Sequence, residues 1–344
     1  MIIMKTILIT GGCGFIGSHF VRQFLKKHPD FWVVNLDKLT YAGNPENLKD
    51  VSRSQASGRR YKFVRGDIAD KKTVEAVFKK SKPDFVINFA AESHVDRSIH
   101  GHARDFVDTN VYGVFNLLEA ARRFGAGKFV QISTDEVFGS LLLNSKIKFT
   151  EKTQYNPRSP YSASKAAGDL LCHSYFATYN LPVVITHSSN NYGSHQYPEK
   201  LIPFFALRAL KSEALPLYGD GKNVRDWIYV LDNVEAIEKV LFKGKVGEVY
   251  NIGGDNEIAN IDIAKKILKI LRKPETMIKY VPDRLGHDRR YALDNSKIKR
   301  KLGWRPKYNF DKMIVETVKW YRDNPVWIKG AVKRLKRINP HIEI

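Results

Sequence analysis

The feature that most constrains this chain is its opening turn. The alternating run KTILIT ends on Thr10-Gly11-Gly12-Cys13-Gly14-Phe15-Ile16-Gly17-Ser18, which sets Gly11, Gly14 and Gly17 three residues apart as a helical pattern begins. Glycine at such positions lets backbone approach a pyrophosphate, while the helix N-terminus offers free N–H groups and the positive end of its dipole. Twenty residues after Gly17, a second apolar run, FWVVNL, ends at Asp37, where a carboxylate can accept both hydroxyls of an adenosine ribose. A glycine triplet alone is a weak signal. Set after a strand, before a helix and closed by an acid, it specifies a dinucleotide site. The carboxylate would repel a 2′-phosphate, so NAD is expected rather than NADP, with the neighbouring Lys38 leaning slightly the other way. Asp67, in GDIAD after the third strand, could meet the adenine edge or equally cap the next helix.

The rest of the first half keeps the same rhythm. Strand-like runs YKFVRG, DFVINFA, KFVQIS and LPVVITH alternate with helical segments near 15–28, 71–80, 104–124 and 161–179. The fold class expected is therefore α/β: a Rossmann doubly wound parallel sheet with a smaller C-terminal substrate-binding α/β domain. The NAD-binding domain is placed at 1–186 and the mainly substrate-binding domain at 187–330, with return segments to the first near 225–254 and a basic tail at 331–344. A helix near 200–212 and strands at Leu215–Tyr218 and Arg225–Val230 are expected in the second part.

With 43% hydrophobic residues and 12% aromatics in 344, the chain can form a buried core and disorder is not the default. Cys13 and Cys172 are too few and too far apart for a disulfide framework or a zinc site, and read as packing residues in a reducing, cytoplasmic setting. No stretch approaches the roughly 20 apolar residues of a membrane span. The excess of 57 Lys and Arg over 36 Asp and Glu gives +21, but it is scattered. Only Lys329, Lys333, Arg334, Lys336 and Arg337 cluster, with the spacing of a helix face or a solvated tail. Such a field suits an anionic ligand without selecting one, and a nucleic-acid partner would rest on net charge alone.

Two motifs carry chemistry. Tyr161-Ser-Ala-Ser-Lys165 opens a helical segment and puts phenol and ammonium on one face. The ammonium is expected to help bring the phenol from about 10 toward 7, making a general base for an alcohol. The run KFVQIS enters Ser133-Thr134-Asp135-Glu136-Val137-Phe138-Gly139, which places a hydroxyl and two carboxylates at the carboxyl end of the sheet. Simple oxidation needs only a donor such as Thr134. Two adjacent acids offer a second proton-transfer system if their pKa values are pushed apart.

TGGxGFIGS, the acid at Asp37, STDEVFG and YSASK together resemble the extended short-chain dehydrogenase/reductase family. DKLTYAGN, NFAAESHVDRS, TNVYG, NNYGSHQYPEKLIP, PLYGDGKNVRDWIYV, NIGG and DRLGHDRRYALD narrow the resemblance to the dTDP-glucose 4,6-dehydratases, over residues 1 to about 305. The resemblance implies that Phe15, Ile16, Asp37, Lys38, Leu39, Thr40, Asp67, Ile68, Ala90, Ala91, Thr109 and Asn191 line NAD, together with the glycines, Tyr161 and Lys165. It implies that Ser93, Thr134, Asn190, Lys200, Leu201, Pro216, Tyr218, Arg225, Asn260, Asp283, Arg284 and His287 hold a nucleotide sugar. Arg225 and Arg284 suit a pyrophosphate, which they can grip bidentately. His94 and His287 lack metal-ligand spacing, so hydrogen bonding is expected of them and no metal.

The implied activity is dehydration. Tyr161 and Thr134 serve oxidation at C4 of the sugar, Glu136 removes the C5 proton, and protonated Asp135 assists departure of the C6 hydroxyl. A homodimer through the helices near 104–124 and 161–179 is implied as well. Cys13 departs from the family's usual alanine, and VLDNVEAI from its V-x-D-H-x-x-A-I. A nucleotide-sugar 4-epimerase, a dehydratase of UDP-glucose, and an NAD-sensing protein without catalysis remain alternatives at this point. The acid pair weighs against the epimerase, and Tyr161 with Lys165 against the sensor.

Overall fold

A computed structural model describes residues 4–338, with side chains through Leu335. Met1 to Ile3 and the side chains of Lys336 and Arg337 lie outside the described residues.

In chain order the strands are β1 (Lys5–Thr10), β2 (Phe31–Asp37), β3 (Tyr61–Arg65), β4 (Phe85–Asn88), β5 (Lys128–Thr134), β6 (Val183–Ser188), β7 (Asn190–Tyr192), β8 (Leu215–Tyr218), β9 (Val224–Tyr229), β10 (Val249–Ile252), β11 (Glu257–Ala259) and β12 (Ile278–Val281). Seven form one sheet in the order β10-β6-β5-β4-β1-β2-β3, and every neighbouring pair is parallel. Parallel strands need crossovers, and crossovers put helices on both faces, so central strands must be apolar throughout rather than alternating. Ile7, Leu8 and Ile9 of β1 meet that demand, all three being fully buried.

Helices Phe15–Lys27 and Val230–Lys243 cover one face, packing Phe20, Phe24, Val234 and Ile237 on it. Helices Lys71–Ser81, Val114–Phe124 and Pro160–Tyr179 cover the other with Phe78, Leu117, Leu118 and Cys172. The strand order reverses between β1 and β4. There the crossovers leave on opposite faces and open a crevice at the carboxyl ends, where ligands bind in such sheets.

A second core unites Phe205, Leu217, Trp227, Ile263, Ile267, Ile314 and Tyr321 from the later elements. Around it lie a three-stranded sheet, β11-β9-β7, and a two-stranded one, β12-β8. The expected return to the first domain near 225–254 divides: β9 stays in the small sheet, whereas the helix after it and β10 rejoin the large one, β10 pairing with β6.

Two expected segments take a more specific form, both helical as their spacing allowed. The helix near 104–124 is three pieces, Ala103–Val107, a π-helical turn at Asp108–Gly113, and Val114–Phe124. Asn110 in that turn bonds to the Glu92 N–H (3.0 Å), the Glu92 carbonyl (3.0 Å) and the Ser164 hydroxyl (2.9 Å). Gly113 passes so close to Ile68 that a Cβ would sit 2.6 Å from its Cγ1. The widened turn thus accommodates tertiary contacts that a regular α-helix would not, and it brings Thr109 to the crevice. The basic tail placed at 331–344 is, through 338, the end of a helix, Pro325–Ile338. Its Ala331 and Leu335 are buried in the second core, and the Tyr197 hydroxyl donates to the Ala331 carbonyl at 2.8 Å. Among the described residues no helix is long and apolar enough to cross a membrane.

Candidate active site

The crevice begins at the glycine turn. Gly11 has φ +67°, a left-handed conformation, and a Cβ there would lie 2.6 Å from the Ala90 nitrogen; one on Gly17 would lie 2.4 Å from the Gly11 carbonyl oxygen. Gly14 caps helix Phe15–Lys27 without a side-chain hydrogen bond, so first-turn N–H groups stay available to an anion. Asp37, at the end of β2, accepts the Cys13 N–H on Oδ2 (2.9 Å) and the Leu39 N–H on Oδ1 (2.8 Å). Those bonds aim the carboxylate and leave lone pairs for a diol, while burial pushes the carboxyl above its usual range.

Leu39 contributes through its N–H; its side chain packs against the first core. Lys38 is turned aside by Asp67, Nζ to Oδ2 2.6 Å, which removes the feature that leaned toward a 2′-phosphate. Asp67 is not the cap of the following helix. Asp70 is, accepting the Lys72 N–H at 3.1 Å, and Asp67 lines the crevice.

Thr40, Ile68, Ala90, Ala91, Thr109 and Asn191 line the same crevice with Phe15 and Ile16. The floor is stapled by a ladder that sequence reasoning missed: Thr10 Oγ1 donates to Asn88 Oδ1 (2.5 Å), and Asn88 Nδ2 to Gln131 Oε1 (2.8 Å). Each of these amides sits in a strand that reads as merely apolar, and only pairing of β1, β4 and β5 makes them neighbours.

Farther along the crevice lie Ser93, Thr134, Asp135, Glu136, Tyr161, Lys165, Asn190 and Lys200. β5 ends at Thr134, whose hydroxyl accepts the Glu136 N–H and donates to Asp135 Oδ1, both at 3.3 Å, so the chain turns at once and stacks the acids there. Their surroundings differ. Asp135 is pushed well up by burial, then by Glu136 and Asp226. Glu136 is pushed up by burial but pulled back by Arg284, Arg225 and Lys200. Asp135 is thus the carboxyl more readily held protonated.

Tyr161 sits in the first turn of helix Pro160–Tyr179, whose start is fixed by Pro160 and by reciprocal bonds between Ser159 and Ser162. The expectation that Lys165 lowers the phenol is corrected. Burial and the Glu136 charge push Tyr161 up, and Thr134 is the group that pulls it down. Lys165 donates to the Ile132 carbonyl at 2.6 Å.

The remaining positions expected to hold a sugar nucleotide lie outside the crevice lining, on later elements. Arg225, on β9, is buried, its guanidinium 4.3 Å from the Tyr291 ring centre and bonded to the Asp288 carbonyl at 3.0 Å. Arg284 faces Asp96 at 3.5 Å, and Asp283 accepts from the Arg284 N–H (2.8 Å) and holds His287 at 2.6 Å. Pro216 and Tyr218 lie on β8, paired with β12, and Tyr218 stands edge-on to His287 with centres 6.1 Å apart. Asn260 opens helix Asn260–Ile270, buried, with Oδ1 unpartnered among the described residues; Leu201 opens helix Leu201–Leu210. These residues do not border the crevice floor with Tyr161. Arg225 and Arg284 reach it through their charges on Glu136.

His94 is a cap, its Nδ1 accepting the Arg97 N–H at 3.2 Å, and burial with Lys200 pulls it down to about 2. Glu199 was not singled out by sequence. It is buried, accepts from the Tyr41 hydroxyl at 2.9 Å, and is pushed up to about 7. Its only sequence signal was its place in PEK, beside Lys200.

Residues 8–317 match a family model described as GDP-mannose 4,6 dehydratase. A dTDP-glucose 4,6-dehydratase of Xanthomonas campestris pv. campestris is 49% identical, over 97% of this chain and 99% of its own length. One of Neisseria meningitidis serogroup B is 48% identical, with 97% and 99% covered. Among solved structures, the dTDP-glucose 4,6-dehydratase of Streptomyces venezuelae with NAD bound superposes with a TM-score of 0.90 at 46% identity, covering 95% of this chain and all of its own. The NAD complex of UDP-glucose 4-epimerase from Thermus thermophilus gives 0.84 at 33% identity, covering 93% and 100%.

Proposed function

The chain belongs to the GDP-mannose 4,6 dehydratase family and, within it, to the dTDP-glucose 4,6-dehydratases, and on that premise we propose that it converts dTDP-glucose to dTDP-4-keto-6-deoxy-glucose with the loss of water. The observation that carries this reading is the Asp135–Glu136 pair, two neighbouring acids with opposed surroundings at the end of β5. A 4-epimerase would need Tyr161 and Lys165 but has no use for such a pair.

The glycine turn, Asp37 and the Thr109–Asn191 rim fit NAD: free first-turn N–H groups meet a pyrophosphate, and an aimed carboxylate meets a ribose diol. Bound there, NAD supplies a reversible hydride acceptor and a positive charge. Tyr161 takes the C4 hydroxyl proton as that carbon is oxidised, and the Thr134 hydroxyl, turning from Asp135 Oδ1, donates its hydrogen bond to the C4 oxygen. The ketone acidifies C5–H. Glu136, kept closer to ionisation by Arg284, Arg225 and Lys200, removes that proton, and Asp135 delivers its own to the departing C6 hydroxyl. Glu136 returns a proton to C5 as C6 is reduced. Arg225, Arg284 and Lys200 receive the pyrophosphate side of the substrate, and Ser93, Asn190, Asn260 and His287 its polar groups.

The enzyme is read further as a cytoplasmic homodimer. Supporting this, Val107, Tyr112, Phe115, Leu170 and Tyr179 stand exposed on the segments 103–124 and 160–179. Sedimentation at micromolar concentration checks it, and a monomer there would count against it. The reading of the reaction is tested by incubating the purified protein, without added NAD, with dTDP-glucose and with UDP-glucose. A 4-keto-6-deoxy product lighter by one water, formed preferentially from dTDP-glucose, is expected; a 4-epimer without loss of water would overturn it.

A further inference from the structure

Behind Lys165, away from the cleft, runs a string of polar groups that the chemistry above does not use. Asp169 follows Lys165 by one helical turn, as Lys165 follows Tyr161, so the three share a face of helix Pro160–Tyr179. The Asp169 side chain is completely buried. Its Oδ2 accepts from Ser133 Oγ at 2.5 Å and faces His187 Nε2 at 3.2 Å, and the Tyr155 hydroxyl lies 3.1 Å from that nitrogen. Among the described residues, Asp169 Oδ1 and His187 Nδ1 have no hydrogen-bond partner. A carboxylate in so dry a place is costly unless an opposite charge shares the site.

Lys165 has the complementary difficulty. Its ammonium is buried, with one carbonyl, that of Ile132, as its hydrogen-bond partner at 2.6 Å. Burial pulls it toward the neutral form and Asp169 pulls it back. Other ionisable groups facing this site are Cys172 from the same helix, His187 from β6 and Tyr155 from the loop before the helix. His173 and Glu248 line the small cavity beyond them, Tyr161, Asp135 and Glu136 stand on the cleft side, and the outer helices contribute Glu119, which binds Tyr175 farther along.

We propose that Asp169, aimed by Ser133 and His187, is a positioning residue: the buried counter-ion that keeps Lys165 charged and set behind Tyr161. The inference rests on the reading of Tyr161 and Lys165 as the oxidising pair. A carboxylate whose role was only structural would change stability and leave the pH dependence of turnover where it was.

The experiment is the pH profile of kcat and KM for the holoenzyme and Asp169→Asn. Asp169 stands one helical turn from Lys165 without a direct ion pair, so losing its charge should move the alkaline limb of kcat to lower pH by up to about one unit, the low end of what a nearby opposite charge is worth. KM should stay within about twofold because Asp169 does not touch substrate. Asp169→Glu should bring the limb back toward its wild-type position. Asp169→Ser removes the same charge with less crowding and carries the same expectation if the Asn variant does not fold. An alkaline limb unmoved in both neutral variants overturns the proposal. NMR titration of labelled lysine ε-carbons, with the Lys165 signal identified by its absence in Lys165→Met, reads the same charge without turnover. A Lys165 midpoint that is the same in wild type and variant sinks the counter-ion whatever the reaction is, whereas an inactive wild type with a shifted midpoint sinks only the functional reading.

Discussion

The two ends of the cleft are built from different materials. The NAD end is backbone: Gly11 and Gly17 allow main chain to pass where no Cβ would fit, Gly14 leaves a helix end open, and Asp37 is aimed by the N–H groups of Cys13 and Leu39. The end proposed for the sugar nucleotide is side chain: Lys200, Arg225, and Arg284 with His287 come from three segments, each oriented by a carbonyl, a carboxylate or an aromatic ring. Backbone sites admit little change of residue at such close approaches. Side-chain sites tolerate exchange in proportion to how much of the charge and geometry survives.

That contrast can be broken at the seam, where the largest effect is expected. Tyr161→Phe should lower kcat by about a thousandfold, because general-base assistance is worth about 10² to 10⁴, with NAD and dTDP-glucose still bound; both ends would then be intact and only the chemistry lost. Glu136→Gln should slow water loss by about a hundredfold or more while reduced-nicotinamide absorbance still appears on adding substrate. If that variant dehydrates at the wild-type rate, Glu136 is not the C5 base.

The contrast itself is sharpened by a pair. Gly17→Val forces a Cβ against the Gly11 carbonyl, so the protein should purify with little NAD and lose stability by about 1 to 3 kcal/mol in thermal unfolding. Arg225→Lys should keep its NAD and raise the KM for dTDP-glucose by about tenfold, since Lys cannot reproduce a bidentate grip. Equal loss of NAD in both would mean that the two ends are not separate structures.

A separate effect is on stability against pH. His19, buried and bonded to the Ser194 carbonyl at 2.9 Å, is pulled from 6.5 down to about 4, first by burial. Its stabilising contribution is complete above pH 6.5 and is lost as pH falls toward 4, up to about 3 kcal/mol. Glu199, raised from 4.5 to about 7, slopes the other way: its contribution is complete below pH 4.5 and is lost as pH rises through 7. His19→Gln should therefore flatten the fall of Tm on the acid side, and Glu199→Gln the fall on the alkaline side. Unchanged slopes in both would show that other groups set the profile.

The sequence by itself determined what is local or periodic. Apolar runs with helical segments between them name the parallel sheet. A glycine turn between strand and helix, closed by Asp37, names the dinucleotide end, and Tyr161 with Lys165 and Thr134 with the two acids are the local groups on which the proposed chemistry rests. These were legible because one turn of chain carries each of them. Tertiary structure decided what depends on neighbours distant in sequence. Asp67 against Lys38 or as a cap turns on where β2 and β3 lie side by side. The π-helical turn at Asp108–Gly113 answers Asn110 and Ile68 across the fold, and the supposed basic tail becomes a docked helix because Ala331 and Leu335 find the second core. Tyr161 stands pushed up rather than down first because packing buries it and then because the Glu136 charge, two residues beyond Thr134, folds back beside it, and that burial exists only once the chain is packed.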